Sequence, residues 1–146
     1  LAAACDFRIM ARSATMRLPE IPLGMNMSWH SVPRIVSLIG PARAKRFIMY
    51  GEDIGAEEAA LWGLCDEVTE DGGALIVAHK WAKKTAKLPP NAVRMTKQAV
   101  NAVANALHPA TTFMDADQYA LATTSEDYRE AIKAFLEKRE PKFTGR

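Results

Sequence analysis

The segment Leu18-Pro19-Glu20-Ile21-Pro22-Leu23-Gly24 constrains the backbone of this chain more than any other. Each proline fixes its own φ and pushes the residue before it toward an extended conformation. The segment is therefore predicted to be a stiff connection that ends at a flexible glycine. Its one charged side chain, Glu20, has apolar neighbours, and a poorly solvated carboxylate held in a set direction is a candidate acid or base. On these residues alone, a solvated loop glutamate stays an open alternative.

Composition narrows the class of protein. The chain has 146 residues, 49% of them hydrophobic, and a formal net charge of +2 from 19 basic and 17 acidic side chains. This size and hydrophobic content predict one globular domain, and the near-balanced charge favours neither nucleic acid nor an anionic membrane as a partner. No apolar run reaches the ~20 residues of a membrane helix. Cys5 and Cys65 lack the paired spacing of a zinc site, and such cysteines are typical of reduced thiols in a cytoplasmic protein.

The apolar pattern predicts a few strands early and helices late. The chain opens Leu1-Ala2-Ala3-Ala4, without methionine or a capping residue, so we expect it to be the later part of a longer protein. Because so few strands cannot complete a sheet, upstream residues or a neighbouring subunit should supply their partners. Strands are predicted at 7–11, 15–18 and 65–68, and helices at 28–38, 42–50, 53–63, 74–88, 91–107, 110–124 and 126–139.

Seven short motifs follow one another along the chain: Ala4-Cys5-Asp6-Phe7-Arg8-Ile9, the Leu18–Gly24 segment, Gly40-Pro41-Ala42-Arg43-Ala44, Gly51-Glu52-Asp53-Ile54, Ala56-Glu57-Glu58-Ala59, Trp62-Gly63-Leu64-Cys65-Asp66-Glu67-Val68 and Phe135-Leu136-Glu137-Lys138-Arg139-Glu140-Pro141-Lys142-Phe143. Each motif is weak alone. Their order resembles the C-terminal portion of the enoyl-CoA hydratase/isomerase, or crotonase, superfamily over essentially the whole chain.

The resemblance implies an α/β fold in two parts. Residues 1–70 would form the last turns of a crotonase-like ββα spiral, and residues 71–146 a helical region that assembles trimers or dimers of trimers. It also implies an acyl-CoA substrate, with no metal and no cofactor beyond the CoA of the substrate. Family members hold the thioester oxyanion with two backbone N–H groups, and both would lie upstream of this sequence.

The resemblance also implies the site residues. Glu20 would protonate the α-carbon in hydration or shuttle a proton between carbons in isomerisation, and a second glutamate just before Leu1 would activate water. Relatives commonly continue from Gly24 into Pro-Gly-x-Gly-Gly, whereas this chain carries bulky residues that would fill space near the acyl group. His30 could be a second acid or base, although a packed or exposed histidine is the ordinary alternative. The implied substrate-binding residues are Leu23, Met25, Ser28, Trp29 and His30.

A small basic and aromatic cluster lies near the C-terminus. In relatives, the residues that match Phe135 and Lys138 reach the adenine and phosphates of CoA bound in an adjoining subunit. An aromatic ring and a cation suit a base and a phosphate respectively. The alternative is a solvated helix end whose lysine interacts with the helix dipole.

The predicted function is therefore an enoyl-CoA hydratase or isomerase that transfers a proton at the α-carbon of a CoA thioester. A hydrolase or carbon–carbon lyase of the same superfamily is one alternative, because Met25–Ser31 lies where substrate choice is made. A noncatalytic assembly module that keeps only the helices is another. The residues before Leu1 would distinguish the three.

Overall fold

The computed structural model describes all residues from Leu1 to Arg146. After a 3₁₀ turn at Ala2–Ala4, every strand lies before residue 70 and every element from Ala74 onward is helical. The strands are β1 (Ile9–Ala11), β2 (Thr15–Met16), β3 (Ile54–Gly55) and β4 (Glu67–Thr69), and the helices are α1 (Val32–Tyr50), α2 (Ala56–Trp62), α3 (Ala74–Ala86), α4 (Pro90–Ala104), α5 (Pro109–Thr112), α6 (Asp115–Thr124) and α7 (Glu126–Glu137).

The four strands form two separate pairs. β1 runs parallel to β4 with Ile9 opposite Glu67, and β2 runs antiparallel to β3 with Met16 opposite Ile54. The three predicted strands are confirmed but differ at their ends, whereas β3 was not predicted: it lies at the start of the helix expected at 53–63, which begins instead at Ala56. β4 begins at Glu67 instead of Cys65 because the amides of Leu64 and Cys65 both donate to the Ala59 carbonyl at the end of α2. Those bonds complete the helix terminus, which ends at left-handed Gly63 as its position predicts.

One hydrophobic core joins these pairs to α1 and α2. Its thirteen buried residues all lie between Met10 and Cys65. Ile54 and Leu64 are the largest fully buried side chains. From the C-terminal half, α7 alone supplies buried residues, Ala131 and Ala134. The helix α3 covers the β1–β4 pair, where the rings of Phe7 and Trp81 meet edge to face with centroids 5.1 Å apart.

The structure corrects the predicted start of α1. A helix was expected from Ser28, but α1 begins at Val32, because Trp29 and His30 have φ of 60° and 54° and cannot belong to a right-handed helix. The predicted stop at Gly40-Pro41 is a sharp kink, with Gly40 at φ 76° and ψ 165°, and the helix resumes at once. The proline has no N–H to continue the preceding turn, so the break falls there.

The C-terminal helices also differ from prediction. The helix expected at 110–124 is two helices, α5 and α6, and the one expected at 91–107 ends at Ala104. The apolar face of α4 is not buried within the chain, since Val103 is 81% exposed, and the apolar face of α7 is buried only in part: Ala131 is buried, but Leu136 is 74% exposed. Periodicity marks an apolar face but does not say which molecule covers it.

Replacing Ile54 tests the core. We expect Ile54→Ala to lower the free energy of unfolding by about 2–5 kcal/mol, because it opens a cavity at a fully buried position. Ile76→Ala is the matched control, since that side chain is 72% exposed and its loss should cost no more than about 0.5 kcal/mol. Urea denaturation of both variants measures the difference. Equal losses would contradict the core described above.

Candidate functional site

The segment that carries Glu20 is a series of tight turns. The amides of Leu23 and Met25 donate to the Glu20 carbonyl oxygen at 3.1 and 2.9 Å, and the Gly24 amide donates to Ile21 at 2.9 Å. The two prolines leave few other conformations open to this stretch. The predicted stiff connection therefore has a defined shape.

The C-terminal end of α1 supports this turn from behind. Gly51 ends the helix in a left-handed conformation, with φ of 60°. A Cβ placed on Gly51 would lie 2.6 Å from Cγ of Pro22 and 3.1 Å from the Leu18 carbonyl oxygen. Arg17 Nε donates to the Gly51 carbonyl at 2.7 Å. The backbone of α1 and the proline turn are thus in contact with no room for a side chain between them.

The Glu20 carboxylate lies in a partly enclosed position. The residue is half-buried, its Oε2 atom is buried, and no donor of this chain reaches that oxygen. Buried carboxylate oxygens in folded proteins are nearly always hydrogen-bonded, and those that are not are often functional. Glu20 therefore carries an acceptor oxygen that this chain leaves without a hydrogen bond in a partly enclosed position.

The loop after Gly24 contacts α6. The consecutive left-handed residues Trp29 and His30 are not glycines, and each such residue costs about 1–3 kcal/mol that its surroundings must offset. The His30 amide donates to Oδ2 of Asp115 at 2.8 Å, and the ring of Trp29 lies 6.0 Å from that of Tyr119. Both side chains remain largely exposed, at 65% for Trp29 and 62% for His30.

The first residues of the same loop contact α6 and α7. The Tyr119 hydroxyl donates to Sδ of Met25 at 3.6 Å, and Asn26 donates to Gln118 at 2.9 Å. A Cβ on Gly24, which has φ of 74°, would lie 2.7 Å from Cα of Tyr128 on α7. Of the predicted substrate-binding residues, Met25, Trp29 and His30 contact α6, while Leu23 and Ser28 are half-buried within the loop itself.

The predicted CoA-binding residues lie at the other end of α7. Phe135 is 67% exposed, and Lys138 ends the helix in a left-handed conformation with φ of 54°. Tyr128 and Phe135 are seven residues apart, so Phe135 lies about 10 Å further along the helix axis than the contact with Gly24. The cluster and the Gly24 contact therefore lie at opposite ends of α7.

The chain terminus folds back along α7 and is held by two carboxylates. Arg139 donates to both oxygens of Glu130, at 2.6 and 2.9 Å, and the Lys142 amide donates to Glu130 at 2.9 Å. The amides of Thr144 and Gly145 donate to Asp127. The hydrogen bonds from the Arg139 guanidinium, and next from the Lys142 amide, lower the pKa of Glu130 to about 2.

A groove of about 780 Å³ lies between the 3₁₀ turn, α1 and α4. Arg34 and His108 line it, but Glu20 does not. Burial, and next the positive charges of Arg34 and His30, lower the pKa of His108, and no group of this chain bonds its buried Nε2.

No three His, Cys, Asp or Glu side chains are grouped to hold a metal ion, and both cysteines are free thiols. None of the helices is both long and apolar enough to cross a membrane.

Comparison with known proteins decides the family. The model of the enoyl-CoA hydratase/isomerase family matches residues 1–146. The chain belongs to this family. It is 33% identical over 143 residues to the crotonyl-CoA hydratase of Syntrophomonas wolfei, covering 98% of this chain and 55% of that protein. It is 32% identical over 146 residues to the 2,3-dehydroadipyl-CoA hydratase of Escherichia coli, covering 100% of this chain and 57% of that protein.

Solved structures of family members share the fold. A carnitinyl-CoA dehydratase from Mycobacterium avium superimposes with a TM-score of 0.91 at 30% identity, covering 100% of this chain and 58% of that one. An enoyl-CoA hydratase/isomerase from Pseudoalteromonas atlantica gives 0.89 at 28% identity, covering 98% and 58%. The predicted crotonase-like α/β fold is therefore confirmed. The chain spans a little over half the length of these relatives.

Sequence reasoning missed the side chains that hold the loop. Asp115, Gln118 and Tyr119 are spaced i, i+3, i+4, so they share one face of α6. That spacing was a usable signal for a polar contact face. The sequence did not predict which loop this face of α6 contacts, because that loop precedes α6 by some 85 residues.

The pH dependence of the C-terminal contact follows from Glu130. Its pKa is lowered from 4.5 to about 2 in the folded chain, so the ionised form stabilises the folded tail above pH 4.5. We expect protection of the 142–145 amides from hydrogen exchange to decrease as the pH falls from 4.5 to about 2. In Glu130→Gln, protection should already be low at pH 6 and change less across this window. Equal profiles for the two proteins would contradict the assignment.

Proposed function

We propose that the complete protein is an enoyl-CoA hydratase or isomerase in which Glu20 transfers a proton at the α-carbon of a CoA thioester. The observation that carries the proposal is the buried Oε2 of Glu20, to which no donor of the chain bonds. The turn that carries Glu20 is restricted by a proline on each side. The names of the relatives agree with this reaction class. They include the hydratases above and a 1,2-epoxyphenylacetyl-CoA isomerase of Escherichia coli, 32% identical over 146 residues.

The proposed chemistry uses one carboxyl group in two protonation states. In hydration, protonated Glu20 gives its proton to the α-carbon, the hydroxyl of water adds at the β-carbon, and the glutamate upstream of Leu1 accepts the remaining proton of that water. In isomerisation, the carboxylate removes a proton from one carbon and returns it to another. Both routes pass through an enolate-like thioester, whose negative oxygen would be held by backbone N–H groups from residues upstream of Leu1. General acid–base transfer of this kind contributes roughly 10²–10⁴-fold to rate.

We further propose that Phe135 and Lys138 bind the nucleotide of CoA in an adjoining copy, and that no metal or second cofactor takes part. Both side chains are exposed at the end of α7, where they can reach another molecule. The terminus next to them is held by Glu130 and Arg139, which limits the directions open to Lys138.

A trimer or dimer of trimers fits the apolar surface of the C-terminal half. We propose residues 1–70 as the end of the spiral and residues 71–146 as the region that assembles the oligomer, in a cytoplasmic protein. Support comes from large apolar side chains that the chain leaves uncovered, since such surface is typical of contacts between subunits. These side chains are Val100, Val103, Leu107, Phe113, Leu121 and Leu136.

The proton-transfer role is tested by Glu20→Gln in the complete protein. We expect turnover of crotonyl-CoA to fall by about 10²-fold or more, because an amide cannot exchange the proton. Binding of the thioester, measured by calorimetry, should change little. Glu57→Gln, at an exposed surface glutamate, is the matched control. Unchanged turnover in Glu20→Gln would remove Glu20 from the mechanism. Assays of the complete protein against a panel of acyl-CoA thioesters would show whether it catalyses hydrolysis or carbon–carbon cleavage instead of hydration.

The CoA contact is tested by Lys138→Gly. Glycine accepts the left-handed φ of this position, so the substitution removes the ammonium group without straining the end of the helix. We expect the Kd for CoA to rise by about 10-fold, the value of one hydrogen bond to a charged group. Lys133→Ala, an exposed lysine on the same helix, should leave the Kd unchanged. An equal Kd in both variants would overturn the role of Lys138.

A further inference from the structure

One face of α6 contacts the loop that follows Glu20. Asp115 accepts from the His30 amide, and Gln118 accepts from the Asn26 side chain. Tyr119 bonds to Met25 through its hydroxyl, and its ring lies beside the ring of Trp29. Asp115 differs from the other two because it accepts from a backbone amide, and its side chain is 14% exposed.

The contact with Asp115 falls where the loop is most strained. Trp29 and His30 are consecutive left-handed residues, and neither is a glycine. Such a pair persists only where its surroundings hold it. The hydrogen bond of 2.8 Å from the His30 amide to Oδ2 of Asp115 is charge-assisted, and it is aimed at the backbone of the strained pair.

The strained pair is connected to the Glu20 turn through a short, bonded stretch. The Met25 amide donates to the Glu20 carbonyl oxygen at 2.9 Å, and the Tyr119 hydroxyl donates to the Met25 sulfur. Gly24, between them, cannot shift toward α7 because the backbone of Tyr128 closes that side. The loop is thus bonded to α6 at Met25, Asn26 and His30, and to the Glu20 turn at Met25.

We propose that Asp115 is a positioning residue for Glu20. By accepting the His30 amide, it holds the Trp29–His30 turn left-handed and so sets the direction of the Glu20 side chain. The inference rests on the proposed role of Glu20. The imidazole of His30 is not the group that matters, since its Nε2 lies 4.0 Å from Asp115 and the ring is largely exposed, where an ion pair contributes little.

The first test compares Asp115→Ala, Asp115→Asn and Asp117→Ala in the complete protein. Small misplacements of a reacting group lower rate strongly, so we expect Asp115→Ala to reduce kcat for crotonyl-CoA by about 10-fold or more with little change in KM. Asp115→Asn keeps an oxygen that accepts the His30 amide, so its kcat should stay within about 3-fold of the wild type. Asp117, exposed on the first turn of the same helix, is the matched control.

The second test relieves the strain instead of restoring the acceptor. Glycine adopts a positive φ freely, so His30→Gly should need Asp115 less. We expect Asp115→Ala to reduce kcat by less than about 3-fold in the His30→Gly background. A full 10-fold loss in both backgrounds would mean that Asp115 acts by some route other than this turn, and would overturn the inference.

Hydrogen exchange separates this inference from the proposed function. We expect the Met25–Ser31 amides to exchange faster in Asp115→Ala than in the wild type or Asp117→Ala, a measurement that needs no substrate. Faster exchange with unchanged kcat would overturn the positioning role while leaving the function of Glu20 intact. A wild-type protein that turns over no enoyl-CoA would overturn the proposed function and the positioning role with it. Unchanged exchange would show that Asp115 does not hold the loop.

Discussion

The contact between the proline turn and the end of α1 is the constraint on which the site depends. Gly51 must lack a side chain because Pro22 and the Leu18 carbonyl occupy the space beside its Cα. The other end of the contact is equally rigid, since the two prolines restrict the turn. The helix in turn is anchored in the core by Ile35, Ile39, Phe47 and Ile48. The position of the Glu20 turn is therefore fixed, through α1, by the hydrophobic core and not by a flexible loop.

The helical half of the chain supports the Glu20 turn from the side opposite the core. α6 and α7 follow the last core residue by fifty positions or more, yet α6 bonds to the residues on the C-terminal side of Glu20 and α7 lies against Gly24. Tyr128 sets the backbone at Gly24, and Asp115 accepts from the strained backbone at His30. The candidate acid is thus held from one side by the core and from the other by the helical region. A change in how α6 packs would reach the acid without altering the core.

The sequence predicted the stiff turn at Glu20 better than the surroundings of that turn. Glu20 stands out because prolines and apolar residues act locally, and local constraints are visible in a short window. The start of α1 was predicted wrongly because Ser28–Leu38 has helical spacing, whereas Trp29 and His30 are left-handed in the fold, where the His30 amide donates to Asp115. The break between α5 and α6 was also missed. Residues 113–114 carry no glycine or proline, so no local signal marked it.

The stiff turn around Glu20, the breaks at Gly40-Pro41 and Gly63, the placement of strands before residue 70 with helices after it, and the family all followed from the amino-acid sequence. These follow from backbone restrictions and from motifs a few residues long. Long-range packing alone fixed which face of α6 meets the loop after Gly24 and which apolar faces stay uncovered. Such pairings join residues some 85 positions apart, and the free energy of a contact between distant segments is not encoded in either segment alone.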